Sequence, residues 1–148
     1  MTMENSRKTL KNWSFLILFL TALSAIRLIV EVFMLDFNPS ELPEGTSKGM
    51  FIAAQIIVIV IGLIVLLPEV FVGVRGIQIS KNPDSRNGHI TWSKVIIALS
   101  AIALISPISG LIKGERIATN ILEVIDLLSD VAVFYFFIVF SKRVASEA

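Results

Sequence analysis

Four apolar runs of transmembrane length dominate the sequence, and they limit the chain to one kind of architecture. They cover approximately residues 13–35, 48–74, 92–112 and 119–141. About 20 residues suffice to cross the hydrocarbon layer as an α-helix. Hydrophobic residues make up 55% of the 148-residue chain, against about 45–50% in soluble domains. We therefore predict an all-α membrane protein, folded over residues 1–148 as a single antiparallel bundle of four transmembrane helices.

The first apolar run follows a basic N-terminal segment, a combination that secretory signal peptides share. Small residues at positions 22–25 resemble a peptidase site. The run nevertheless continues past them to Leu35, which makes it longer than the apolar region of a signal peptide. We therefore interpret it as the first span.

Lysine and arginine are distributed unevenly between the two sides that four spans define. The side with both termini and the second loop has Arg7, Lys8, Lys11, Arg75, Lys81, Arg86, Lys94, Lys142 and Arg143. The opposite side has only Lys48, Lys113 and Arg116. The positive-inside rule then predicts that both termini lie in the cytoplasm. Since this rule explains the basic clusters, we expect the lipid bilayer as a partner and no nucleic acid.

Prolines and glycines within the spans predict bends and close helix contacts. Pro68 and Pro107 each remove a backbone donor from a helix, so we predict a kink at both. Gly110 and Gly114 form a GxxxG spacing, which is frequent in apolar helices. One face of the second span carries a seam of small and polar residues that would permit close helix approach and a homo-oligomer: Gln55, Gly62, Glu69, Gly73 and Gly76.

Ionisable residues inside the spans point to a functional region. Glu123, Asp126 and Asp130 fall within about 60° of one another on a helix that turns about 100° per residue. Such groups are costly in hydrocarbon, so they are expected to face the bundle interior. Counting about 1.5 Å per residue from the outer end of each span places Arg27 and Asp126 at the same depth, about 10 to 12 Å. We predict that these two residues pair if the first and fourth helices are neighbours.

These depths predict an outward-facing polar pocket. Its predicted lining is Arg27, Glu31, Gln55, Glu123, Asp126 and Asp130, with Ser106 and Ser109 in the same layer. When fully ionised, this set carries one positive and four negative charges. A cation from outside or bound protons would balance them. Asp130, the deepest, is the candidate to hold a proton.

Residues required for several kinds of chemistry are missing from the sequence. The chain has no Cys, and its one His, His89, lies in the polar loop of residues 81–89 and is expected to be a solvated surface residue. No metal-ligand spacing, phosphate-binding glycine loop or Ser/His/Asp arrangement is present. We therefore expect no metal, no cofactor and no enzyme activity. The aromatic residues 134–137 are expected to contact lipid and pack at the interface.

Four short segments surround the second loop: Pro68-Glu69, Gly73-Val74-Arg75-Gly76-Ile77, Asn82-Pro83 and His89-Ile90-Thr91-Trp92. Together they resemble the middle of short four-span proteins encoded in Gram-positive bacterial genomes. The resemblance covers approximately 30 residues and implies a location in a bacterial plasma membrane, without implying an activity.

Three functions are compatible with this pattern. The first is a binding or transport unit for a cation, a proton or a cationic small molecule. The second is an accessory, immunity or assembly subunit of another membrane protein, in which Arg27 pairs with Glu31 or Asp126 only to stabilise the fold. The third is a holin-like pore former, which would oligomerise with a polar face turned to a lumen.

Overall fold

The structure is helical in all of its regular elements over the residues that it describes. It is a computed structural model that describes residues 3–38, 42–83 and 87–146. Its helices in these ranges are α1 (Met3–Phe33), α2 (Lys48–Lys81), α3 (Gly88–Ala103), α4 (Ile105–Ile112) and α5 (Ile117–Ser146). Four helical stretches of this part are long and apolar enough to cross a membrane: Glu4–Phe33, Lys48–Lys81, Gly88–Ile112 and Ile117–Ser146. The all-helical, four-span class is confirmed, while the antiparallel order and the cytoplasmic termini stay predictions.

The helices extend beyond the apolar runs that predicted them. α1 begins at Met3 rather than near Trp13, α2 continues to Lys81, and α3 begins at Gly88, within the predicted loop. Hydropathy marks only the part of a helix that suits the hydrocarbon layer. The hydrogen-bonded helix continues into polar surroundings, and there the sequence gives a weaker signal.

The chain divides into two compact units. The first unit comprises Met1–Leu18 and Pro68–Ala148, and the second unit comprises Phe19–Leu67. α1 and α2 therefore each contribute one part to either unit. The single membrane domain over residues 1–148 stays a prediction.

The first unit is built on a core of buried apolar side chains. They are Leu10, Ile17, Val72, Ile79, Ile96, Phe134, Phe137 and Val144, which come from α1, α2, α3 and α5. Two glycines of α2 bring this core close to α1. A Cβ on Gly73 would lie 2.6 Å from Leu18 Cγ, and a Cβ on Gly76 would lie 2.5 Å from Phe137 Cε2 and would overlap Ser14 Oγ. The predicted close approach of helices at these glycines is confirmed.

In the second unit, two contacts between α1 and α2 stand out. Gly62 of α2 lies directly against the Leu28 side chain of α1, leaving no room for a Cβ. Gln55 Nε2 donates to the carbonyl oxygens of Val32 at 2.7 Å and Leu35 at 3.2 Å. Since the last carbonyls of a helix lack intrahelical partners, Gln55 satisfies the end of α1 from a neighbouring helix.

The two prolines lie in different helical contexts. α2 continues as one helix through Pro68. The third span is interrupted at Leu104, three residues before Pro107, so that it consists of α3 and α4. Pro107 has no N–H to donate to the carbonyl of Ala103, the residue four positions earlier. The kinks at Pro68 and Pro107 stay predictions.

The expectation that His89 is a solvated surface residue is wrong. Only 3% of His89 is exposed, and its ring packs edge-on against Phe137 with 5.9 Å between ring centroids. Because α3 begins at Gly88, His89 shares a helix face with the buried residues Ser93 and Ile96. The turn-forming residues that precede His89 in the sequence led to its assignment to a loop.

The expectation for the aromatic residues 134–137 is wrong for two of the four rings. Phe134 and Phe137 are buried in the core of the first unit, so lipid contact is the wrong assignment for them. Tyr135 and Phe136 are exposed. Phe136 stacks on Trp13 with ring centroids 5.5 Å apart. Residues three apart lie on the same face of a helix, so Phe134 and Phe137 share the face that packs in the core. Tyr135 and Phe136 lie on another face.

Candidate functional site

The six residues of the predicted pocket are divided between the two units. Arg27, Glu31 and Gln55 lie in the second unit, and Glu123, Asp126 and Asp130 lie in the first. Each group has its own geometry within its unit. The pairing of Arg27 with Asp126 stays a prediction.

In the second unit the charged residues form a pair along one helix. Arg27 Nε donates to Glu31 Oε1 at 2.6 Å, four residues further along α1. The two side chains are 57% and 60% exposed. Gln55 is occupied with the carbonyls at the end of α1, as described above. Each of these three residues thus has a partner within the second unit.

In the first unit Glu123 lines a polar cleft of about 490 Å³. The cleft lies where α4 ends and α5 begins. Its other lining residues are Ile105, Ser106, Ser109, Gly110, Lys113, Glu115, Arg116 and Asn120. The sequence placed Ser106 and Ser109 level with Arg27, whereas in the structure both line the cleft with Glu123. Lys113, Glu115, Arg116 and Asn120 also line the cleft, and the predicted pocket did not include them.

Residues at the C-terminal end of α4 form one wall of the cleft. Gly114 adopts φ +72°, and its N–H donates to Leu111 O at 3.1 Å. The N–H of Glu115 donates to Gly110 O at 2.9 Å. This pair of bonds, with a left-handed glycine directly after the helix end, is the Schellman motif. Gly114 therefore terminates a helix, and its GxxxG spacing with Gly110 does not mark a helix-packing motif.

A single asparagine of α5 fixes the connection between α4 and α5. Asn120 Nδ2 donates to Glu115 O at 2.6 Å, and the same side chain lies against Gly110 so closely that a Cβ there would overlap it. Arg116 adopts φ 43°, which is uncommon for a residue with a Cβ and persists where the surroundings require it. The turn that carries the charged lining residues is thus held by backbone and side-chain bonds.

From the cleft, acidic side chains continue along α5. We call Glu123, Asp126 and Asp130 the carboxylate ladder. Because α5 is one helix over Ile117–Ser146, the three residues lie on one face and span a rise of about 10 Å. Glu123 and Asp130 are half-buried, whereas Asp126 is exposed.

Sequence reasoning missed a fourth carboxylate near the ladder. Asp130 lies within electrostatic range of Glu69 on α2 as well as of Asp126. Counting about 1.5 Å per residue from Lys48 places Glu69 about 30 Å along the second span, near its far end. α2 has 34 residues, far more than the roughly 20 needed to cross a bilayer, so its depth is not determined by counting from one end. The shared helix face with Gly73 and Gly76 was the available signal.

The three carboxylates of the ladder do not converge on one point. Within residues 3–38, 42–83 and 87–146, no group of three or more His, Cys, Asp or Glu side chains converges on a possible metal position. Carboxylates in apolar surroundings are stabilised when a cation lies among them or when one of them holds a proton.

Four membrane-length helices, with acidic groups on one of them, have the character of a multi-pass membrane protein. No family model, curated protein or solved structure matches the chain. The resemblance to short four-span proteins of Gram-positive bacteria therefore stays an expectation from the sequence.

Proposed function

We propose that the protein binds a proton or a cationic small molecule on the carboxylate ladder and moves it between the cleft and the interior of the membrane. The observation that carries this proposal is the continuity of acidic groups in the first unit. Glu123 belongs both to the open cleft and to the ladder, and Asp130 at the other end of the ladder is half-buried near Glu69. The proposal involves no covalent reaction.

The physical argument concerns acidic groups that lie close to one another inside a membrane. An acidic group in a membrane is costly unless positive charge or a proton accompanies it. Glu69 and Asp126 act on Asp130 as like charges. A positively charged ligand close to Asp130 would reduce this repulsion between like charges, whereas an anion would add to it.

The test uses the full chain, purified and reconstituted into liposomes that contain the pH-sensitive dye pyranine. A potassium diffusion potential drives proton entry, and binding of tetraphenylphosphonium is measured in parallel as a cationic probe. We expect Asp130→Asn to reduce proton flux or tetraphenylphosphonium binding by at least tenfold. Asp36→Asn is the matched control, because Asp36 is an exposed carboxylate in the connection between α1 and α2.

Two results would overturn the proposal. One is wild-type protein that gives neither proton flux above empty liposomes nor saturable tetraphenylphosphonium binding. The other is an Asp130→Asn variant that remains folded, as judged by its circular dichroism and elution volume, and matches the wild type in both measurements.

The Arg27–Glu31 ion pair supports a second candidate function, that of an accessory or assembly subunit whose charges only stabilise the fold. The pair is formed within α1 at 2.6 Å and needs no ligand to explain it. Under this alternative, Arg27→Gln lowers the thermal stability of the protein, while Asp130→Asn leaves transport and binding unchanged. Asp130→Asn therefore decides between the two candidates, because Arg27 and Glu31 form their ion pair under either one.

We also infer that the protein lies in a bacterial plasma membrane with both termini in the cytoplasm. The uneven distribution of lysine and arginine supports this orientation. The chain has no cysteine, so single cysteines can be introduced without further changes. In intact cells, Glu44→Cys and Glu115→Cys should react with a membrane-impermeant maleimide, and Asn82→Cys and Lys142→Cys should not. The reverse pattern would invert the orientation.

A further inference from the structure

The cleft between α4 and α5 has the size and charge pattern of a binding site in its own right. Its volume of about 490 Å³ lies within the range of about 300–1,000 Å³ that is typical of small-molecule pockets. Its lining carries both signs of charge, with Lys113 and Arg116 as cations and Glu123 as an acidic group. The hydroxyls of Ser106 and Ser109 supply neutral hydrogen-bonding groups.

A lining with both signs selects for a ligand that carries both signs. Lysine and arginine bind phosphate through charge-assisted hydrogen bonds, and arginine does so with two parallel N–H groups. A carboxylate accepts hydrogen bonds from a primary ammonium group. Of the two acidic lining residues, Glu123 is half-buried while Glu115 is exposed, so Glu123 is the better placed to hold an ammonium group away from water.

The position of the cleft identifies the source of such a ligand. The charged connection, residues 113–116, joins the membrane-length stretches Gly88–Ile112 and Ile117–Ser146. The ends of spans lie at the level of the phospholipid head groups. A ligand with a phosphate and an ammonium group is abundant at that level as the head group of phosphatidylethanolamine.

We propose that the cleft binds the phosphoethanolamine head group of a membrane phospholipid, with the phosphate on Lys113 and Arg116 and the ammonium group on Glu123. The Schellman end of α4 and the bond from Asn120 Nδ2 to Glu115 O hold the connection that carries both cations. The backbone that positions Lys113 and Arg116 is therefore held in place without a ligand. This proposal does not depend on cation movement along the ladder, and it stands if Asp130→Asn leaves proton flux unchanged.

The test measures lipid retention by the full chain with native mass spectrometry. The protein is exposed to phosphatidylethanolamine, phosphatidylcholine and phosphatidylglycerol with identical acyl chains. We expect phosphatidylethanolamine to bind about tenfold more tightly than the other two, a difference of about 1.4 kcal/mol. The trimethylammonium group of phosphatidylcholine has no N–H to donate, and phosphatidylglycerol has no ammonium group.

Paired variants assign the two halves of the site. Glu123→Gln should reduce phosphatidylethanolamine binding to the level of phosphatidylcholine, whereas Glu44→Gln, an exposed carboxylate in another connection, should leave the preference intact. The double change Lys113→Gln and Arg116→Gln should weaken all three phospholipids together. Lys48→Gln is its control, because Lys48 is an exposed cation outside the cleft.

Equal binding of the three lipids by the wild type would overturn the proposal, and so would a preference that survives Glu123→Gln. A soluble competitor distinguishes the source of the head group. Free phosphoethanolamine that displaces the lipid at equal concentration would show that the cleft takes its ligand from solution. That result would also overturn the assignment to a membrane lipid.

Discussion

The two units of the molecule differ in what stabilises each of them internally. The first unit has a core in which Phe137, Leu10 and Val72 are fully buried. In the second unit Val32, at 6% exposure, is the one buried apolar side chain among the described residues. Most other apolar residues of the second unit, such as Phe19 and Ile56, are exposed.

This difference shows what a lipid environment changes in the usual argument from burial. An apolar side chain that faces lipid tails is already in an apolar medium, so burying it against another helix gains little hydrophobic free energy. Helix association then depends on close packing and on hydrogen bonds. The described part of the second unit shows both, in the contact of Gly62 with Leu28 and in the bonds of Gln55 to α1. The first unit adds a densely packed core.

The largest expected effect follows from removing the central ring of the first unit. Phe137→Ala leaves a cavity where Gly76 and His89 now contact the ring. We expect a loss of about 3 kcal/mol in the free energy of unfolding, at the low end of the range for soluble proteins because lipid rather than water is the reference.

Phe19→Ala is the matched control for this change, because Phe19 is 60% exposed in the second unit. We expect it to cost less than about 1 kcal/mol. Both variants are measured by titration with sodium dodecyl sulfate in mixed micelles. Equal losses in the free energy of unfolding for Phe137→Ala and Phe19→Ala would contradict the difference in core packing between the two units.

Adding one methyl group at the helix contact should give the next largest effect. Gly76→Ala forces a Cβ into Ser14 and Phe137, and overpacking of this kind costs about 1–3 kcal/mol. Gly49→Ala, in the first turn of the same helix, meets only Ser47 Oγ at 3.8 Å. We expect the control to be neutral or slightly stabilising, because alanine is the better helix former by about 1 kcal/mol. A neutral Gly76→Ala would contradict the close packing.

These contacts also show which parts of the fold the sequence could predict. The four spans and the close approach at Gly62, Gly73 and Gly76 follow from apolar length and from residues sharing one helix face. The cleft was only partly predictable. Its charged wall depends on a helix that stops at Gly114 and on the hydrogen bond from Asn120, and a GxxxG spacing gives no indication of either.

The burial of His89 and the position of Glu69 illustrate the same limit. His89 is buried because α3 begins at Gly88, and hydropathy does not fix the first turn of a helix whose ends are polar. Glu69 comes within electrostatic range of Asp130 although counting residues from Lys48 separates their depths. Register at helix ends and the tilt of long helices are properties of packing, which the spacing of residues along the chain does not specify.

A hydrogen-bond variant examines the second unit directly. Gln55→Leu keeps the approximate volume of the side chain but removes its donors to Val32 O and Leu35 O. Interhelical hydrogen bonds in membranes contribute about 0.6–2 kcal/mol, so we expect a loss of about 1 kcal/mol. Hydrogen exchange should increase at the end of α1, in residues 30–35, while exchange in the buried part of α5 stays unchanged. Unchanged exchange at residues 30–35 would show that Gln55 does not stabilise this end.

The smallest expected effect concerns the ion pair of α1, and it separates a structural role from a functional one. Arg27 and Glu31 are more than half exposed, and an i, i+4 pair on an exposed helix contributes about 0.3–0.5 kcal/mol. A double-mutant cycle with Arg27→Gln and Glu31→Gln, measured by the same micelle titration, should give a coupling energy of this size. In a medium of low dielectric constant the coupling would be several times larger, because removing one partner leaves the other charge without compensation. A coupling energy above about 2 kcal/mol would therefore mean that the pair lies in a dry environment and determines the stability of the second unit. A coupling energy near zero would mean that Arg27 and Glu31 do not stabilise each other, so that their charges could take part in another interaction.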